Sequence, residues 1–465
     1  MNSQSERTPD SARYVPFPRS RLLTPDRGSR PRNVLNQLVA LTAVFGIGAG
    51  GWGLWLEVSD LRDRAASRER VSEACGGLVD PDKVLDLNGG THRARAGTDA
   101  DDSFTVGSLP GTCVIYRVDE PGTSYGHFVL TVYTNPSDRY ANIVSGWTRD
   151  PFDERIRETD GDLTREADEA PEHPIEDAEV DEGALGHYDD NSATVKALCT
   201  TGEGTDEGTG EESGEGTGGG AGKGGTTSVN VMAEGYYDDI TFQDRQALIE
   251  LAHDAAFKAA HELGCTAEKP VPVSFPRLYV PHPRLVDSAK ARGTCRWFRD
   301  FTAREGRGRL PDRALDAPVG EQSFTEKCLL AVSEKQVRSV LPGLTEDEHR
   351  GATLRDVLRV APWWMESASF FGDEAREVVT EDGLGDDQTQ VRPGTAGRDR
   401  AAGVWWASST CGGEPALHTL SVDYPYDEIV EKRLKALFHA YVDDITARRN
   451  CTDVKYPEPS AFRAD

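Results

Sequence analysis

All eight cysteines of the 465-residue chain lie beyond residue 74, in two sets of four: Cys75, Cys113, Cys199, Cys265, then Cys295, Cys328, Cys411, Cys451. An even count of this kind implies a disulfide framework made in an oxidising compartment. Spacings within the sets are 38, 86 and 66 residues against 33, 83 and 40, so only the last differs greatly, by 26. The tract 202–227, composed almost wholly of Gly, Thr and Glu, is itself 26 residues long. Removing it makes the last spacing equal in both sets, and it reads as an insertion in a hairpin loop.

The segment before each final cysteine keeps the same register. Leu248, Leu251, Ala252, Ala255 and Ala259 form an i, i+3, i+4, i+7, i+11 stripe, and Leu434, Leu437, Phe438, Tyr441 and Ile445 repeat it 186 residues on, the separation of Cys265 from Cys451. Both read as amphipathic helices with one face on a core. Thr241 and Asp427, again 186 apart, stand where N-caps belong, and Asp244 completes a capping box in the first copy. Upstream, residues 113–118, 128–133, 404–411 and 416–422 have the apolar, β-branched character of strands. Each copy is therefore expected to be α+β, an antiparallel sheet packed by a C-terminal helix. The copies diverge at their starts, where Asp80-Pro81 opens a helix near Cys75 and nothing equivalent follows Cys295.

Confining pairs to each set leaves nine of the 105 connectivities open to eight cysteines. The preferred set is Cys75–Cys113, Cys199–Cys265, Cys295–Cys328 and Cys411–Cys451, tying each opening element to a strand and each final helix to its sheet. Loops of this length stabilise by roughly 3–4 kcal/mol apiece on the chain-entropy account.

Residues 34–56 carry no charge until Glu57, and 23 such residues are enough to cross a hydrocarbon core about 30 Å thick. Seven arginines against three acids precede them, which keeps the N-terminus cytoplasmic by the positive-inside rule. The flank and the apolar run are both too long for a cleaved signal peptide. A lipoprotein is disfavoured because Cys75 sits well past the apolar run. Trp52 and Trp55 suit the outer interface, and Gly46 with Gly50 forms a GxxxG pair, a candidate homodimer face in the membrane. The expected layout is a disordered Arg-rich tail over 1–33, a transmembrane helix over 34–56 and a charged helical stalk over 57–74. The first extracytoplasmic repeat spans 75–270, with an acidic loop at 150–190. A linker at 271–294, the second repeat at 295–456 and a tail at 457–465 complete it.

The net charge of −27 disfavours nucleic acid as a partner. Much of it is local, since residues 150–190 hold 17 acids and three arginines; low hydrophobicity at such charge does not order itself. The acidic tract fails the EF-hand test: with Gly161 at the sixth position, the first and twelfth ligands would be Ile156 and Ala167. The glycine-rich tract fails as a phosphate loop, because Gly224 follows Lys223 and Thr217 stands where the first glycine is needed.

No HExxH motif is present. His253 and His439, each twelve residues before a closing cysteine, fall about 140° off the apolar stripe and are expected to face solvent. His261 and Cys265 at i, i+4 have a metal-ligand spacing, but disulfide pairing of the cysteine is favoured outside the cytoplasm. In the pairs Trp363-Trp364 and Trp405-Trp406, adjacent strand residues face opposite sides, so Trp364 and Trp406 are the candidates for an aromatic binding platform. No catalytic, cofactor-binding or metal-binding residue is assigned, and no cofactor is expected.

The Arg-rich head, the single span and the paired Cys-containing segments beginning Cys75-Gly-Gly-Leu-Val-Asp-Pro resemble membrane-anchored envelope proteins of actinomycetes. They are also similar, more weakly, to Cys-bridged sensor and lipoprotein domains of that group. The resemblance implies a single-pass cell-membrane protein with its folded part outside. The expected function is non-catalytic binding, scaffolding or sensing, with an envelope protein or glycan as partner. A cell-envelope hydrolase using carboxylates is the alternative.

Overall fold

The computed structural model describes residues 30–97, 104–120, 123–135, 142–146, 173–174, 184–189, 191–199, 228–237, 240–265, 285–320, 323–359, 362–382 and 388–462. Nearly all of the tail 1–33, most of the acidic loop 150–190, the insertion 202–227 and the first part of the linker 271–294 lie outside these residues. The chain divides into two units, 1–65 and 66–465.

Helix α1, Arg30–Ala74, begins in the first unit and ends in the second. Val34, Leu35, Val44, Phe45 and Ile47 are 55–77% exposed, so these apolar side chains are not buried among the described residues. Among the described residues no helix is long and apolar enough to cross a membrane. The span expected over 34–56 is thus not shown. Asn36, Gln37 and Thr42 dilute its apolar character, and several of its side chains, Gly50 among them, lie outside the description.

The second unit is α+β, with two large antiparallel sheets and four disulfides. The first sheet takes β1 (Ala94–Ala96), β2 (Gly111–Glu120) and β3 (Thr123–Asn135); β4 (Asn142–Val144) leaves it; β5 (His173–Pro174), β6 (Ala184–Tyr188), β7 (Ser192–Leu198) and β8 (Ser228–Gly235) complete it. Its order is β1-β2-β3-β8-β7-β6-β5. The second sheet takes β9 (Val286–Asp287), β10 (Arg313–Leu315), β11 (Thr325–Ala331) and β12 (Trp364–Phe371); β13 (Val378–Glu381) and β14 (Gln388–Gln390) stand apart; β15 (Gly397–Asp399), β16 (Val404–Cys411) and β17 (Glu414–Val422) follow. Its order is β9-β10-β11-β12-β17-β16-β15, and β18 (Thr452–Lys455) also pairs with β16. In both sheets an antiparallel pair of consecutive strands is joined at its second strand by the last strand before the long helix, and the strand preceding that one lies beyond it. The path β1-β2-β3-β8-β7-β6 is thereby retraced by β10-β11-β12-β17-β16-β15.

Helix α2 (Pro81–Asp86) begins where Asp80 accepts the Asp82 backbone N–H. Helix α3 (Phe242–Glu262) opens on the expected capping box, in which Thr241 accepts the Asp244 N–H while the Asp244 carboxylate accepts the Thr241 N–H. Helix α4 (Arg296–Glu305) starts directly at Cys295, the short helices α5 (Glu334–Val340), α6 (Glu346–His349) and α7 (Leu354–Arg359) follow, and α8 is Tyr426–Arg448. The N-cap of α8 is Pro425 rather than Asp427, which accepts from the Glu428 N–H inside the first turn. The helix therefore begins two residues earlier than the register of the first copy places it.

Both predicted stripes are buried. Leu248, Leu251, Ala252, Ala255 and Ala259 are fully buried against Val195, Ala197, Val229 and Val231. Leu434, Leu437, Phe438, Tyr441 and Ile445 pack with Met365, Trp405, Leu420 and Val422. The four disulfides are Cys75–Cys113, Cys199–Cys265, Cys295–Cys328 and Cys411–Cys451, the preferred set. Past Cys451 the chain folds back: Trp405 Nε1 donates to Ala461 O at 2.9 Å, and Phe462, 5% exposed, packs on Trp405 and Phe438.

A third sheet, β14-β13-β4, joins the two halves, with β4 parallel to β13 and Asn142 opposite Val378. Gly146 N–H donates to Ala402 O at 2.6 Å, and a Cβ on Gly146 would lie 2.2 Å from Val422 O, so only glycine permits this approach.

Candidate functional site

The seam between the two large sheets contains a cleft of about 900 Å³, lined in part by Asn135 and Lys196 from the first half and by Phe324, Phe371, Arg376 and Arg449 from the second. A cleft of this size lies within the range of small-ligand sites. One lining residue, Lys196, belongs to a buried ion pair. Lys196 Nζ is 2.5 Å from Glu374 Oε1, with side chains 4% and 7% exposed. Asn142 Nδ2 donates to Glu374 Oε2 at 2.8 Å, and Asn135 Nδ2 lies 3.4 Å from Oε1. One carboxylate thus collects donors from β3, β4 and β7. Phe324 sits over the same pair: the His187 ring stacks on it at 4.0 Å and Lys196 Nζ is 5.1 Å from its centroid.

Beside Lys196 the sheet face opposite α3 is polar although buried. Asn230 stands directly across from Lys196 in the β7–β8 register and is fully buried, yet neither its amide nitrogen nor its oxygen has a hydrogen-bond partner among the described residues. Ser228 Oγ is likewise buried and unpartnered. A buried amide left unsatisfied costs about 1–3 kcal/mol, which points to water or a ligand as its partner. On the opposite wall, Glu326 accepts from Arg448 at 2.8 Å and Arg449 at 3.1 Å, and the Arg449 guanidinium lies 4.2 Å from the Phe371 centroid. These bonds fix the arginine planes at the cleft rim.

Behind Phe371 lies a sealed polar network between sheet and α8. His418 Nδ1 is 2.9 Å from Ser369 Oγ, its Nε2 is 2.8 Å from Ser409 Oγ, and Ser369 Oγ is 2.5 Å from Tyr441 OH. Burial, reinforced by the Arg449 charge, pulls the His418 pKa down to about 3, so the ring is neutral at physiological pH. At the far end of β17, burial and the neighbouring Asp427 push the Asp423 carboxyl up to about 9. Neither group was legible from motif spacing, because burial by distant elements creates both shifts.

His253 does not face solvent: it is 8% exposed and lies beside Phe257, their ring centroids 5.3 Å apart. His439 is half-buried, stacked on Tyr456 at 4.2 Å, and burial lowers its pKa. A helical-wheel angle counts only the sheet side of a helix; the folded-back tail covers α8 from the other. Trp363 and Trp405 are buried on the α8 side, each 1% exposed. Trp364, 5% exposed, packs with Leu285, Leu315 and Leu329, while the half-buried Trp406 lies over Gly397 and donates through Nε1 to Thr395 Oγ1 at 3.2 Å. The structure places these two rings on the face away from α8, separated by β17. Cys265 is held by Cys199 and not left for a metal beside His261. Among the described residues no group of three or more His, Cys, Asp or Glu is placed to hold a metal ion. A Cβ on Gly46 would meet nothing within 4 Å, and Gly50 lies outside the described side chains. Comparison with protein-family models, with curated proteins and with solved structures finds no match to this chain.

Proposed function

We propose that the chain is a membrane-anchored, extracytoplasmic binding protein whose cleft between the two sheets receives an envelope component, a peptide or a glycan. The observation that carries the reading is the lining of the cleft, where Phe324 and Phe371 stand with Asn135, Arg449 and a Lys196 whose ammonium is fixed by the buried Glu374 carboxylate. Aromatic walls with a few fixed polar groups are what ligand clefts use for orientation. On this reading the two halves are related domains that arose by duplication, supported by their shared strand path and by matching disulfides. A photo-crosslinking residue in place of Phe371 in the full chain, irradiated in the native membrane, should capture an envelope peptide or glycan; capture of nothing beyond the chain itself would sink the cleft reading.

The anchor is the exposed apolar stretch of α1, with an arginine-rich segment before it, and Gly46 with Gly50 provides a face for a homodimer in the bilayer. Four disulfides favour the outer side for the folded part. The full chain is expected to stay in the membrane pellet through an alkaline carbonate wash, and quantitative release into the supernatant would refute the anchor.

A further inference from the structure

A second pocket, of about 590 Å³, lies where β18 leaves β16, and its lining differs in charge from the rest of this acidic chain. Three cations reach it, Arg376, Arg392 and Lys455, against one acid, Asp453. Arg376 is committed to Asp373 at 2.8 Å and Glu414 at 3.5 Å. Arg392 makes no ion pair or side-chain hydrogen bond among the described residues, and Lys455 Nζ donates only to Gly394 O, at 2.7 Å. Two full positive charges therefore face the pocket without a carboxylate bonded to either.

The base of the pocket carries a second, independent mark. Ser408 is 1% exposed, lines the pocket, and its Oγ has no hydrogen-bond partner among the described residues. It lies opposite Lys455 in the β16–β18 register, which slips between Ser408 and Thr410. The slip coincides with Asp453 in the left-handed region, at φ +54°, a conformation that costs a non-glycine residue energy and is retained where surrounding structure requires it. A bulge that turns a strand away from its neighbour opens space over that neighbour and re-aims its side chains. Here it leaves the Ser408 hydroxyl at the bottom of a recess with Lys455 and Arg392 on the wall.

We propose that this pocket is an oxyanion site, binding a phosphate or carboxylate group through Arg392 and Lys455 with Ser408 Oγ as donor at its base. Charge-assisted hydrogen bonds from a guanidinium and an ammonium supply the affinity, and the buried hydroxyl supplies orientation. The pocket adjoins the inter-sheet cleft, with which it shares Arg376, but Arg392, Ser408 and Lys455 line this pocket and not the cleft.

The test is calorimetric titration of the full chain in detergent with inorganic phosphate, and separately with acetate, at ionic strength matched with chloride. Saturable binding of phosphate alone identifies a phosphate-bearing ligand, and saturable binding of acetate alone a carboxylate. Arg392→Ala with Lys455→Ala should weaken binding at least tenfold, Ser408→Ala about threefold, and Lys435→Ala, on the exposed face of α8, should leave it unchanged. Arg392 and Lys455 are exposed, so the double variant keeps its fold, verified by unchanged far-UV circular dichroism. Absence of saturable binding of either anion, or equal affinity in the double variant, would overturn the proposal.

Discussion

Lys196→Met is expected to destabilise the folded unit by about 3–5 kcal/mol, the usual cost of leaving a buried charge without its partner. Glu374 is the group left behind. Its side chain is 7% exposed and would retain only the Asn135 and Asn142 amides as donors. Removing both charges, in Lys196→Met with Glu374→Leu, should cost much less than Lys196→Met alone, because a buried pair gains little over an apolar replacement of similar volume. Urea unfolding of the disulfide-intact protein reads both values. A double variant as unstable as the single would show that the pair carries stabilisation beyond mutual neutralisation. The effect is also positional: Lys196 is on β7 and Glu374 follows β12, so the pair joins the halves that β4 and β13 already connect.

Stability should peak as a plateau in mildly acidic solution and fall on both sides, with His418 and Asp423 setting the two limbs. The His418 pKa lies near 3 in the fold against 6.5 for a free imidazole, so its contribution is complete above pH 6.5 and is lost as pH falls toward 3. The Asp423 carboxyl lies near 9 against 3.8, so its contribution is complete below pH 3.8 and is lost as pH rises toward 9. Between 3.8 and 6.5 the slopes oppose each other. Above 6.5 only Asp423 acts, at no more than about 1.4 kcal/mol per pH unit. From pH 7 to 9 the wild-type chain should therefore lose about 2–3 kcal/mol that Asp423→Asn retains. His418→Gln should flatten the acid limb below pH 3.8. Melting temperatures across pH 3–9 decide the matter, and an Asp423→Asn profile parallel to wild type above pH 7 would rule out this assignment.

How much of this was legible in the sequence depends on the range of the forces involved. The helix registers, the Thr241 cap and the disulfide pairing were readable because each rests on local periodicity or on cysteine spacing. The join between β4 and β13 was not. It pairs a three-residue strand with a four-residue one 236 positions on, both too short to leave an alternation and without a turn to announce the join. The cleft was invisible for the same reason, since its lining is drawn from both sides of that join. His253 and His439 show the complementary failure: the apolar stripe located the sheet, and nothing local located what covers the other side. Asn230 and Lys196 gave no signal as a site either, because a polar residue on an alternating strand reads as solvent-facing.

The folded-back tail sets an order of events during synthesis. Trp405 and Phe438 are covered in part by Phe462, and Ala461 supplies the acceptor for the Trp405 indole. The core of the second half therefore stays open until residue 462 has left the ribosome and, for an exported chain, the translocation channel. The first half has all its strands and its helix by Cys265 and can close its own core while the rest is still being made. Folding is then vectorial, with an early half waiting for a late one, and the unfinished second half is the piece that exposes tryptophan and phenylalanine to chaperones and proteases.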